Sequence, residues 1–393
     1  MADHDDGAQP SAETILTHTG RHPEAHYGFV NTPVFRGSTV LFKTLDALES
    51  PNREYDYGRV ATPSGRDVAA VVTDLEGAAG TVLAPSGLAA ITLALLASVK
   101  AGEDVLITDS AYGPTRRFAT ETLRQFGVSA RFYDPYIGGD IAGLMLPNTT
   151  AVFVESPGSL TFEIQDLPAI ASAAKARGAT VISDNSWATP LFHRPLSLGA
   201  DIVVHAGTKM FIGHSDAMFG TASANDALMP ALAKMHLHLG LTASADDCFL
   251  AARGLRTLAV RMKEHRERAL EIARWLEGQP DVLKVHHPAL ESSADHAIFS
   301  RDFSGSGSLF AFTLAPAARS AVAAMVDGLE LFGMGYSWGG YESLLLPIHP
   351  ERIRTAVPWR AEGNMFRTHI GLEGVDDLKA DLEAALKRYR AAR

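Results

Sequence analysis

The stretch TVISDNSWATPLFHRPLSLGADIVVHAGTK, residues 180–209, holds two apolar runs that each lead to a charged side chain. The first passes through Val181, Ile182 and Ser183 to Asp184, and the second passes through Ile202, Val203 and Val204 toward Lys209. Each run is short, unbroken and rich in β-branched residues, the pattern of a strand buried on both faces of a parallel sheet. Such sheets bind ligands beyond the carboxyl ends of their strands, where Asp184 and Lys209 would lie. A carboxylate in that place is costly unless a cation neutralises it. A lysine there has its ammonium form disfavoured, and the neutral amine can attack an aldehyde. Taken singly, Asp184 reads better as a turn or capping residue and Lys209 as a solvated charge; at equivalent ends of nearby strands the two are a rarer coincidence.

Outward from this segment the chain alternates. Residues 81–84, 104–108, 151–155, 180–183 and 201–205 read as strands, and 88–99, 115–126 and 167–177 as helices. That order predicts right-handed βαβ crossovers and an α/β fold with a mostly parallel central sheet. Residues 1–60 are broken by Pro23, Pro33, Pro51, Gly20, Gly28 and Gly37 and read as an extended arm with short elements, packed on another surface such as a second subunit. Past Arg253 the texture changes: Leu255, Leu258, Ala259, Met262, Ala269, Ala273 and Leu276 keep a helical spacing that Gly278 and Pro280 end. Segment 308–314 alternates and 375–391 reads as a last helix. The expected division is an arm over 1–60, a main unit over 61–255 and a smaller C-terminal α/β unit over 256–393.

The 393 residues are 46% hydrophobic and 20% charged, ordinary globular proportions. A net charge of −10 argues against a nucleic-acid-coating protein. Cys248 is the only cysteine, so an intrachain disulfide is impossible and a cysteine-based metal centre is disfavoured. Residues 1–10 lack the basic and apolar regions of a secretory signal, and the apolar stretch at 88–99 is too short to cross a bilayer. The expectation is a soluble cytoplasmic protein without a membrane partner.

An aldehyde-binding lysine and a carboxylate are what pyridoxal 5'-phosphate (PLP) needs. The lysine takes the aldehyde, and the carboxylate keeps the pyridine nitrogen protonated so that the ring accepts electrons. Its phosphate needs a cup, and Ser86-Gly87-Leu88 at a helix start offers free N–H groups and a close backbone approach, although an ordinary capped helix would look the same. Tyr112, following the 104–108 run, is an aromatic candidate to cover the ring and could equally be a half-buried loop residue.

Tyr57-Gly58-Arg59, Ser86-Gly87, Ala111-Tyr112, Glu155-Ser156-Pro157, Asp184-Asn185, Thr208-Lys209 and Gly213-His214-Ser215-Asp216 follow one another in an order that resembles the Cys/Met-metabolism family of PLP-dependent enzymes. The likeness extends from Pro33-Val34-Phe35 to His369-Ile370-Gly371-Leu372-Glu373. It implies a PLP-dependent transferase-like, aspartate aminotransferase-type large domain (fold type I) with a smaller C-terminal domain. Lys209 would hold the cofactor and move protons, Asp184 would face the ring nitrogen, and Tyr112 would stack on the ring. Gly87, Leu88 and Thr208 would bind the phosphate, with Tyr57 and Arg59 arriving from the neighbouring subunit. Arg367, Ser337 and Trp338 would bind the substrate carboxylate, for which an arginine fork is suited. A homotetramer built as a dimer of dimers with shared sites is the assembly implied.

Within the family, Ser156-Pro157-Gly158-Ser159, Gly213-His214-Ser215-Asp216-Ala217-Met218 and Tyr336-Ser337-Trp338-Gly339-Gly340-Tyr341-Glu342-Ser343 resemble the branch that breaks a carbon–sulfur bond at the β-carbon of a thioether amino acid, L-cystathionine above all. Ser159 and Ala206 stand where many γ-acting relatives have Asn and Ser, and Trp338 stands where they have a smaller residue. These departures favour α,β-elimination to homocysteine, pyruvate and ammonia. The γ-acting lyases and synthases of the family are the nearest rivals. From another class, Gly335-Tyr336-Ser337-Trp338-Gly339 fits the G-x-S-x-G of a serine hydrolase, with Glu351 and His369 downstream. The spacing of His18, His22 and His26 invites a zinc reading that Pro23 interrupts, and Ser304-Gly305-Ser306-Gly307 is an incomplete dinucleotide fingerprint.

Overall fold

The computed structural model describes residues 10–360 and 362–393; the part of the expected arm before residue 10 lies outside them. Seven strands form the larger sheet: β1 (Gly80–Ala84), β2 (Asp104–Thr108), β3 (Ser129–Tyr133), β4 (Thr149–Glu155), β5 (Thr180–Asp184), β6 (Ile202–His205) and β7 (Gly220–Ala224). Their order is β1-β7-β6-β5-β4-β2-β3. β3, β2, β4, β5 and β6 pair in parallel, and β7 runs antiparallel to both β1 and β6. The one reversed strand went unread because Gly-Thr-Ala-Ser-Ala has no bulky β-forming residue. Small residues are required there: a Cβ on Gly220 would lie 2.2 Å from the Ser86 carbonyl oxygen.

β2 and β6 are buried at every residue, which explains their unbroken runs; β7 is buried throughout as well. The Gly87–Ser98 helix covers one face, placing Ile91, Leu93 and Leu95 among Ile107, Phe153 and Ile182. The helix expected over 115–126 is shorter in its regular part. It is helical over Gly113–Arg117 and opens into a π-type turn over Phe118–Leu123. At the start of the expected arm, Ala12–His18 is a short helix whose Ile15 and Leu16 are buried with Val68, Val71 and Leu75 of the same chain. Beyond it, Tyr27 is 98% exposed and Leu41 88%.

The second sheet holds β8 (Val282–His286), β9 (Leu309–Leu314), β10 (Leu344–Ile348) and β11 (Asn364–His369) in the order β10-β11-β9-β8, every pairing antiparallel. The Leu258–Glu277 helix joins the two halves. Leu258 and Met262 pack with the core of the Pro63–Glu76 helix, and Ile272 and Leu276 pack with Phe310, Phe312 and Phe366 of the second sheet. No described helix is long and apolar enough to cross a membrane.

Candidate active site

β4 and β5 end side by side, with Glu155 paired to Asp184 in the register of the sheet. One strand further along, the turn after β6 brings in Lys209. A cavity of about 390 Å³ opens over these ends, lined among others by Gly87, Leu88, Tyr112, Glu155, Asp184, Thr208, Lys209, Ser337, Trp338 and Arg367. Side chains as distant in sequence as Leu88 and Arg367 thus face one space.

Lys209 Nζ lies 2.6 Å from Ser337 Oγ and 5.5 Å from the centre of the Trp338 ring. Burial, and then the nearby Arg367 charge, lower its pKa to about 8 against the opposing pull of Asp184. Asp184 accepts from Ser186 N–H at 2.9 Å and from Ser186 Oγ at 2.6 Å, both through Oδ1, which leaves Oδ2 for another partner. Burial raises its carboxyl above the usual range. Glu155 Oε2 accepts the Tyr112 N–H at 2.8 Å. Burial first, and Asp184 next, push the Glu155 carboxyl well above its ordinary value. Arg367 donates through Nη2 to the Ser337 carbonyl at 3.1 Å, and burial brings its pKa down to about 10.

The start of the Gly87–Ser98 helix is built as an anion cup. Ser86 caps it, accepting the Ala89 N–H through Oγ at 3.1 Å and the Ala90 N–H through its carbonyl at 3.1 Å. The N–H groups of Gly87 and Leu88 are left to a ligand at the positive end of the helix dipole. A Cβ on Gly87 would sit 2.4 Å from Ala206 Cβ, so only glycine fits this approach. Thr208 lines the cavity, but its hydroxyl accepts the Phe219 N–H at 2.8 Å and donates to the Phe219 carbonyl at 3.1 Å, a bond it must exchange to reach an anion. Cup, carboxylate pair and neutralisable amine fit the phosphate, ring nitrogen and aldehyde of PLP.

Tyr57 and Arg59 do not line this cavity. Both are exposed on the arm, where Arg59 Nη1 reaches the Leu237 carbonyl at 3.4 Å. Two residues given no role in the sequence reading belong to the site. Glu155 ends an apolar run just as Asp184 does, and the same signal would have found it. Ser186 stands two residues past Asp184, the spacing of an Asx turn.

The serine-hydrolase reading does not survive the geometry. Ser337 Oγ meets Lys209, His369 meets Ser308 and the Gly339-Gly340 backbone, and Glu351 pairs with His349. Nor are the three arm histidines gathered: His22 lies near Asp67, His26 packs on Phe35, and His18 sits in the last turn of the first helix. Ser304-Gly305-Ser306-Gly307 precedes β9 rather than following a strand, and its glycines press on Phe192 and Trp187.

Comparison with known proteins agrees with this geometry. A family profile described as Cys/Met metabolism PLP-dependent enzyme matches residues 13–387. A cystathionine β-lyase of Salmonella typhimurium is 42% identical over 387 residues, covering 96% of this chain and 98% of its own. The cystathionine β-lyase MetC of Escherichia coli is 40% identical over 392 residues, covering 97% and 99%. Among solved structures, a cystathionine γ-synthase of Xanthomonas oryzae in complex with aminoacrylate and cysteine superposes with a TM-score of 0.90 at 33% identity, covering 98% of this chain and all of its own.

Proposed function

The chain belongs to the Cys/Met-metabolism family of PLP-dependent enzymes, and from that membership we propose that it is a carbon–sulfur β-lyase. It takes L-cystathionine and water to homocysteine, pyruvate and ammonia. The observation that carries the reading is the Lys209 amine, poised near neutrality at about 8 between Asp184 and Arg367 and walled by Trp338.

PLP, when bound, supplies an aldehyde for the substrate amine and a ring that takes up the electron pair released at the α-carbon. The N–H groups of Gly87 and Leu88, with the Thr208 hydroxyl, would hold its phosphate, and Tyr112 would cover the ring. Asp184 Oδ2 would hold a proton at the ring nitrogen. Arg367 would grip the substrate carboxylate, aided by Ser337 and Trp338, and so fix the α-hydrogen toward Lys209. Lys209 Nζ, neutral once free of the aldehyde, would take that proton; Nζ or the Tyr112 hydroxyl would then return one to the departing sulfur. The three-carbon remainder takes water and leaves as pyruvate and ammonia. Trp338 narrows the space beside Lys209 and supports cleavage at the β-carbon over the γ-carbon.

Residues 1–60 would serve as an arm that carries Tyr57 and Arg59 into the phosphate end of a neighbouring site, with 61–255 holding the cofactor and 256–393 closing over it. The exposure of Tyr27, Leu41 and Tyr57 supports contact of the arm with another chain, and the assembly proposed is a dimer of dimers in the cytoplasm. The deciding experiment is product analysis with L-cystathionine. Pyruvate with homocysteine is expected; 2-oxobutyrate with cysteine would replace this reading with γ-cleavage. Lys209→Ala should lose the visible absorbance of the cofactor-loaded protein and nearly all turnover.

A further inference from the structure

Residues 335–340, which carry Ser337 and Trp338 over the cavity, form neither helix nor strand. Ser337 holds a φ of +75°, unfavourable for a residue with a side chain, and Gly339 takes the φ of +89° that glycine allows. A non-glycine residue at positive φ persists only where its surroundings over-determine it. The turn also lies hard against Lys209: a Cβ on Gly339 would come within 2.9 Å of Lys209 Cα. Any drift of this turn therefore moves both Trp338 and the hydroxyl that meets the Lys209 amine.

Two side chains of β11 hold the turn. Arg367 bonds the Ser337 carbonyl, and His369, two residues on and so on the same face of the strand, lies behind it. His369 Nε2 is 3.2 Å from the Gly339 nitrogen and 3.0 Å from the Gly340 carbonyl oxygen, and Nδ1 is 2.8 Å from Ser308 Oγ. With its proton on Nδ1 the ring donates to Ser308 and accepts the Gly339 N–H. With its proton on Nε2 it donates to the Gly340 carbonyl and accepts from Ser308. Either neutral form makes one bond to the turn and one to the fixed hydroxyl. Burial, and then His265 beside it, bring the His369 pKa down to about 3, so the ring is neutral under working conditions. The ring is 1% exposed and does not line the cavity.

The two tethers differ in one respect. Arg367 has a second claimant, since a substrate carboxylate taken bidentately shares the guanidinium whose Nη2 meets the Ser337 carbonyl. His369 has none. We propose that His369 is a positioning residue that keeps the Ser337–Trp338 turn in place while Arg367 engages substrate, and so sets the width of the cavity beside Lys209. The inference rests on Arg367 as the carboxylate clamp and extends it to specificity.

The test compares His369→Ala, His369→Gln and Ser308→Ala in the PLP-loaded protein. His369→Ala should raise the KM for L-cystathionine about tenfold, the scale of one buried hydrogen-bond partner lost, with a smaller fall in kcat. The amide of His369→Gln carries both an acceptor and a donor and should bring KM back to within about threefold of wild type. Trp338 emission, taken as the difference from Trp338→Phe, should shift to the red in His369→Ala and return in His369→Gln. That readout needs no turnover, so a protein that proves not to be a β-lyase still answers the question. A wild-type KM with unshifted emission in His369→Ala overturns the proposal, as does a His369→Gln protein no better than His369→Ala. Should His369→Ala fail to fold, Ser308→Ala, which frees the ring to tilt, must raise KM and shift the emission in the same sense; no change in either overturns it.

Discussion

Cofactor-free protein should reveal how burial sets the reactivity of Lys209. Burial and Arg367 bring its pKa from the ordinary 10.5 to about 8, with Asp184 pulling the other way. The difference amounts to about 3 kcal/mol against the ammonium form. Near pH 7.5 about a quarter of the side chain is then free amine, against about one part in a thousand for an unperturbed lysine. Only the amine attacks an aldehyde, so the rate of PLP capture, followed by stopped-flow absorbance, should climb with pH and level off above about 8. Arg367→Met removes a like charge and should move the midpoint to higher pH, whereas Asp184→Asn removes an opposite charge and should move it lower. Stability follows the same proton. The unfolded chain holds it more tightly than the folded chain, so between about 8 and 10.5 the cofactor-free protein gains stability as pH rises. Lys209→Met should abolish that gain in urea unfolding. A capture rate still rising tenfold per pH unit near pH ~9.5, or both charge substitutions moving the midpoint the same way, would refute this account.

Other substitutions probe neighbouring parts. Asp109 is fully buried and accepts the Thr355, Ala356 and Val357 N–H groups at 3.0 Å and Arg116 at 2.8 Å, so Asp109→Asn should cost about 3–5 kcal/mol in urea unfolding. Burial alone would raise this carboxyl, but the Val357 and Thr355 N–H groups and Arg116 outweigh it and hold it below 3.8. Its stabilisation is therefore complete above the ordinary carboxylate range and is lost as pH falls through the lower folded value, so the wild-type margin over Asp109→Asn should shrink in acid. Gly87→Ala should weaken PLP binding at least about tenfold in a fluorescence titration, because the new methyl meets Ala206; adding Ala206→Gly should restore part of it. Glu155→Gln keeps an acceptor for the Tyr112 N–H and matches the neutral acid, so its PLP dissociation constant should stay within about threefold of wild type, while Glu155→Ala should exceed that.

Several elements were legible in the chain alone. The runs at 104–108, 180–183 and 201–205 became strands because burial on both faces leaves no polar alternation, and that signature is local. The last helix, Val375–Ala391, was readable for the same reason, since its apolar spacing lies within one segment. Elements whose sequence reflects a distant neighbour were not readable. β7 is small because Ser86 must approach it, and the regular helix expected over 115–126 widens after Arg117. The Ala12–His18 helix packs on its own chain because Leu16 meets Val68 and Val71, contacts no period within the arm discloses.

The sequence by itself determined that Asp184 ends one buried strand and that Lys209 follows the next within one turn, since a charge that comes after an apolar run marks where the strand stops. Only the tertiary structure decided that Glu155 lies in register with Asp184, that Arg367 arrives from the second sheet, and that His369 stands behind the Ser337–Trp338 turn rather than beside the serine hydroxyl. Strand pairing joins Glu155 to Asp184, and the meeting of two sheets brings Arg367 to Lys209, across separations that no local period spans. Local periodicity says which face of a strand is buried, but it carries no information about what that face will meet.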